Sequence, residues 1–122
     1  MGAALFFERE AGKMILFKPE HVPMVLDGRK TRTRRKGKKR WKVGSIRQAK
    51  TGFKKDDVFA SLRILAVREE RLDDITEADA RAEGYASIEA YKQVFVRIYG
   101  EWTPDENVWV IDFERCQPCP TL

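Results

Sequence analysis

Eight consecutive residues, Gly28-Arg29-Lys30-Thr31-Arg32-Thr33-Arg34-Arg35, hold the densest potential chemistry in this chain. A glycine releases the backbone from whatever precedes it. In a strand, Lys30, Arg32 and Arg34 would then face one way, and Thr31, Thr33 and Arg35 the other. Lysine is a compact cation whose pKa falls when it is desolvated. A threonine hydroxyl can donate, accept or attack. The same pattern also describes a charged edge strand that merely resists pairing with another chain. Spacing alone leaves both readings open.

The segment opens a longer basic stretch. From Gly28 to Lys55 there are fourteen Lys or Arg and no acid, which leaves ten basic residues against nineteen acids in the rest of the chain. Such segregation sets a local positive field on an acidic body, a footprint that suits phosphates. The residues expected to meet a nucleic acid are Arg29, Arg32, Arg34, Arg35, Lys38, Lys39, Arg40, Trp41, Lys42, Arg47 and Lys50. Trp41 is the one aromatic of the Lys36–Lys42 loop, and its ring could stack on a base or anchor the loop to the core. A solvated basic loop with no partner is the plain alternative.

These residues need a scaffold, and the flanking pattern describes one. Met14-Ile-Leu-Phe-Lys has strand character, and Pro19 opens a helix to about Leu26 that Gly28 ends. Strands follow at Thr31–Arg35, Ser45–Lys50 and Val58–Arg71, the last carrying the longest β signal. Thr76 and Asp79 form a capping-box pair at the start of a short helix ending at Gly84. Ser87 caps a second helix with Ile88, Tyr91, Val94 or Phe95 and Ile98 at helical spacing, closed by Gly100. In a final strand at Asn107–Glu114, Trp109, Ile111 and Phe113 alternate with Val108 and Val110. The order β-α-β-β-β-α-α-β in 122 residues predicts one α+β domain, a small mixed or antiparallel β-barrel flanked by α-helices.

Four segments in this order resemble the ASCH domain (activating signal cointegrator homology) of the PUA-like superfamily. They are Gly28-Arg29-Lys30-Thr31 leading into Thr33-Arg34, Val43-Gly44-Ser45, Ile75 to Tyr85, and Val108 to Glu114. The resemblance places the domain at residues 13–115, with 1–12 an N-terminal extension and 116–122 a tail. It implies a PUA-like barrel, a cleft between the Lys30 strand and the Glu83 helix, and RNA-related work. Some bacterial members are amidohydrolases that remove the acetyl group of 4-acetylcytidine, and others are linked with RNA cleavage. The implied catalytic residues are Lys30, Thr33 and Glu83. Lys30 would polarise Thr33 or hold an oxyanion, and Glu83 would shuttle protons.

The chain departs from those compact enzymes in its Arg35-Lys36-Gly37-Lys38-Lys39-Arg40-Trp41-Lys42 run, which suits a polymer backbone better than a free nucleoside. The expected function is therefore RNA or nucleotide binding by the basic loop and the Lys/Thr/Glu cleft. Hydrolysis of 4-acetylcytidine or of RNA is the alternative, and docking of an acidic protein partner is the third reading. No cofactor or metal is expected. Cys116 and Cys119 have the spacing of half a zinc site, but His21 is the single histidine and lies far away, so the pair is read as incidental. No apolar run approaches membrane-spanning length and no signal-peptide pattern opens the chain, so a cytoplasmic location is expected.

Overall fold

The computed structural model describes residues 14–116. The N-terminal extension and Cys119 of the tail lie outside them. Cys116 is buried, with its backbone N–H donating to Ser61 O at 2.9 Å.

The elements follow the predicted order, with β1 at Met14–Leu16, α1 at Val22–Leu26, β2 at Arg32–Arg35, β3 at Ile46–Lys50 and β4 at Val58–Arg71. They continue with α2 at Glu77–Ala82, α3 at Ile88–Tyr99 and β5 at Asn107–Arg115. The helix expected from Pro19 to Leu26 is split. A single 3-10 turn at Pro19–His21 precedes α1, and Pro23 sits in the first turn of α1, where its missing N–H costs no hydrogen bond. The Thr76 cap forms as read: Thr76 Oγ1 accepts from the Asp79 N–H (3.1 Å) and Asp79 Oδ2 accepts from the Thr76 N–H (2.8 Å).

The five strands make one mixed sheet in the order β1-β3-β4-β5-β2. Only β1 and β3 run parallel, in a register pairing Ile15 with Ala49; the other ladders are antiparallel. The long β4 pairs with β3 through its first half and with β5 from Leu62 to Arg71, with a register shift between Ile64 and Ala66. That shift bends the strand. Among the described residues no ladder joins the terminal strands β1 and β2, so the α+β class and the mixed sheet stand while strand pairing does not close a barrel.

β5 is buried on both faces, and its alternation divides the core. Ile111 and Phe113 pack with Ile15, Phe17, Val25, Trp41 and Leu62. Val108 and Val110 pack with Leu72, Ile75, Ala80, Tyr91 and Phe95 beneath α2 and α3. Because β2 pairs with β5, Thr33 lies opposite Ile111 and Arg34 opposite Val110. The strand with the most charge is therefore laid against the most buried strand of the sheet.

Candidate functional site

Two backbone contacts place Lys30. Its N–H donates to Met24 O (2.9 Å), and the Thr31 N–H donates to Ala82 O (2.8 Å), so this turn is clamped between the ends of α1 and α2. Glu83 is the C-cap that follows α2, and Gly84 comes next at φ +102°. A Cβ on Gly84 would come within 2.8 Å of Met24 Sδ. Glycine thus satisfies both the left-handed backbone and the close approach of α1.

The Lys30 ammonium and the Glu83 carboxylate meet in the interior. Lys30 Nζ donates to Glu83 Oε1 (2.8 Å), Glu83 O (3.2 Å) and Arg32 O (3.1 Å), which engages all three of its protons. Glu83 Oε2 accepts from Arg34 Nη1 at 3.2 Å. Lys30 and Glu83 are 3% and 1% exposed, a degree of burial that ionic groups tolerate only when paired. Burial pushes the Lys30 ammonium below its ordinary range, and Glu83 opposes that shift.

These groups form the polar end of a cleft of ≈ 330 Å³. Thr33 and Arg35 line it from β2, Phe17 and His21 from the β1–α1 connection, and Tyr85, Tyr91, Phe95 and Tyr99 form the opposite wall. The volume suits one heterocyclic base or nucleoside, and a mostly aromatic wall with a few convergent polar groups is what small-ligand sites present. His21 Nε2 and Tyr85 Oη share a hydrogen bond of 2.7 Å. Burial, reinforced by Lys30, lowers His21 to about 4, while burial raises Tyr85 to about 12. Both are neutral at physiological pH and offer the cleft hydrogen bonds without charge.

Lys30, Thr33 and Glu83 are thus brought to one cleft. Thr33 Oγ1 accepts from Arg35 Nε (3.0 Å), and no hydrogen bond in the described residues joins it to Lys30. The strand alternation assigned Lys30 and Thr33 to opposite faces. Lys30 escapes that rule because it precedes β2 and its direction is set by the turn.

The basic residues divide into three groups. Arg34, Arg32 and Lys50 are turned inward or engaged. Arg34 is 2% exposed and contacts Glu70 (2.8 Å), Asp79 (3.2 Å) and Glu83 (3.2 Å). Arg32 bridges Asp79 and Asp112, and Lys50 is buried with Nζ donating to Phe53 O at 3.4 Å. Lys30 and Arg35 face the cleft. The remainder is peripheral: Lys38, Lys39 and Lys42 are exposed, Arg29 pairs with Asp27 (2.8 Å), Arg40 is half-buried, and half-buried Arg47 donates to Ser45 Oγ at 3.1 Å. Trp41 belongs to the core beside Ile15 and Phe17, so its ring is not presented for stacking on a base. Neutralising Arg34 inside the protein is the physical reason the footprint is smaller than composition suggests.

Sequence reasoning missed the aromatic wall, because Tyr91 and Phe95 carry the spacing of ordinary core positions. It also missed Glu70 and Asp79 as the acids that absorb the arginines. Among the described residues no group of three or more His, Cys, Asp or Glu could hold a metal ion, and no helix is long and apolar enough to cross a membrane.

No protein-family model matches the chain, and no curated protein matches its sequence. Solved structures do match it. An ASCH domain from Lactobacillus crispatus JV V101 is 20% identical over 77% of this chain and 69% of its own, with a TM-score of 0.59. A protein of the DUF984 family from Enterococcus faecalis V583 is 21% identical over 84% of this chain and 74% of its own, with a TM-score of 0.61. The ASCH protein of Zymomonas mobilis is 16% identical over 85% of this chain and 71% of its own, with a TM-score of 0.60. The strand order, the paired helices and the cleft between them thus belong to a chain that has the ASCH-domain fold.

Proposed function

We propose that this protein binds single-stranded RNA, taking one base into the cleft and holding the neighbouring backbone on its exposed lysines. The observation that carries this reading is the adjacency of two surfaces of different chemistry. The cleft is aromatic and ends in Lys30, Thr33 and Glu83, and Arg35 on its wall leads into the Lys36–Lys42 segment. Lys38, Lys39 and Lys42 project to solvent with no acidic partner among the described residues.

The test is fluorescence anisotropy of labelled single-stranded RNA across a salt series. Each phosphate contact contributes about −0.7 to the log–log slope, so replacing Lys38, Lys39 and Lys42 with alanine should flatten it by about two units. Glu83→Gln should instead change base preference and leave the slope in place. An acidic peptide bound as tightly as RNA, with the same slope, would replace this reading by protein docking.

A second reading follows from Lys30, Thr33 and Glu83 lining one nucleoside-sized cleft. It is hydrolysis of 4-acetylcytidine, in which water adds to the acetyl carbon and the C–N bond breaks to give acetate and cytidine. Glu83 would carry the proton from the water to the leaving nitrogen, and Lys30 would stabilise the oxyanion. Cytidine release, lost in both Lys30→Ala and Glu83→Gln, is the expected result. No release by the wild type removes this reading and leaves RNA binding standing.

A further inference from the structure

A second hollow, of ≈ 200 Å³, lies beside the cleft and shares Leu16, Arg35 and Tyr99 with it. Lys36, Arg40 and Trp41 line it together with Met14 and Ile15, and no carboxylate does. Lys36 is already held, by Glu106 at 3.0 Å and over the Tyr99 ring at 4.9 Å. The two arginines are not. Arg35 uses only Nε internally, on Thr33, and its guanidinium carbon lies 5.1 Å from the Phe17 ring centroid, which fixes its plane. No acid lies within ion-pair distance of Arg35 or Arg40 among the described residues, in contrast to Arg32 and Arg34, three residues and one residue before Arg35. Trp41 Nε1 is buried without an acceptor. A buried donor left unmatched is costly, and in native proteins such donors call for a partner.

We propose that this hollow is a phosphate subsite, filled by the phosphate of the nucleotide whose base enters the adjoining cleft. Two guanidinium forks match the several oxygens of a phosphate better than the two of a carboxylate. Burial depresses the Arg35 guanidinium, Tyr99 and Glu83 oppose that shift without cancelling it, and a bound anion would add counter-charge. The shared wall at Arg35 lets one nucleotide occupy both hollows. The assignment rests on the base-binding reading for its ligand, and goes beyond it in making the phosphate part of what is recognised.

The test is isothermal titration calorimetry with the four ribonucleosides, their 5′- and 3′-monophosphates, and inorganic phosphate. For the base that binds, one monophosphate should bind about tenfold tighter than its nucleoside, as expected for one charge-assisted contact. In Arg40→Gln that ratio should fall to about one, and in Arg40→Lys it should be partly retained. If Arg40→Gln does not fold, by near-UV circular dichroism, the ratio is read in Arg40→Lys, where full retention counts against the subsite. Arg40-dependent binding of inorganic phosphate with no binding of any nucleoside would support the subsite while removing the base from the cleft. Equal affinity for nucleoside and monophosphates, a gain that survives Arg40→Gln, or no binding of any phosphate species would overturn the assignment.

Discussion

Arg34 holds the oxygen of Glu83 that Lys30 does not: Nη1 donates to Oε2 at 3.2 Å while Lys30 Nζ takes Oε1 at 2.8 Å. The carboxylate is fixed in plane by two cations from one short stretch of chain, and Arg34 is itself tied to Glu70 and Asp79. Asp79 in turn closes the capping box at the start of α2, the helix whose C-cap is Glu83. Helix start, helix end and cleft are therefore coupled through one guanidinium.

Arg34→Gln should destabilise the fold by about 3–5 kcal/mol, the range for breaking a buried ion pair from one side. Urea denaturation measures this. A loss below about 1 kcal/mol would mean that Lys30 alone is enough to hold Glu83.

His21 sets an acid limit on stability. Its folded pKa of about 4 lies below the unfolded value of 6.5, so between those limits the unfolded chain binds a proton that the folded chain refuses. Stability is complete above pH 6.5 and is lost as pH falls towards 4, by at most about 1.4 kcal/mol per pH unit. In His21→Gln the melting temperature should vary less across this window. An unchanged profile would assign the acid sensitivity to the carboxylates.

Gly84→Ala strains the backbone at φ +102° and drives a methyl group into Met24 Sδ. The backbone part alone costs about 1–2 kcal/mol. Shortening Met24 to alanine in the same chain should recover the clash but not that remainder. Complete recovery would show that space, not φ, makes glycine necessary here.

Trp41→Ala should cost about 3–5 kcal/mol by opening a cavity beside Ile15 and Phe17. Trp41→Phe should cost less, since it removes the unmatched Nε1 donor along with part of the ring. RNA salt slopes should stay as in the wild type for Trp41→Phe. A stable Trp41→Ala protein with weakened RNA binding would return this ring to base stacking.

The element order was legible because each element carries local chemistry. Thr76 with Asp79, Ser87 with Ala90, and the alternation of Val108 to Phe113 act within a few residues, and all formed as read. The meeting of Lys30 with Glu83 was legible only through resemblance. What stayed hidden depends on pairings distant in sequence. Arg34 and Arg35 are identical neighbours, yet one is absorbed by Glu70, Asp79 and Glu83 and the other by no acid. Only the β2–β5 register and the placing of α2 decide which is which. That no ladder joins β1 to β2 among the described residues is likewise a property of the whole sheet, to which no single strand's pattern testifies.

Among the described residues β2 has one ladder partner, β5, the last of the five strands in chain order. Thr33, Arg34 and Arg35 therefore have no sheet to join until residues 107–115 have slotted between β2 and β4. Contacts of such long sequence separation form late and slowly. During synthesis the cleft cannot be built piecemeal, since its polar strand, made early, waits unpaired for β5. A chain stalled before Asn107 would display its arginines without any pocket to aim them.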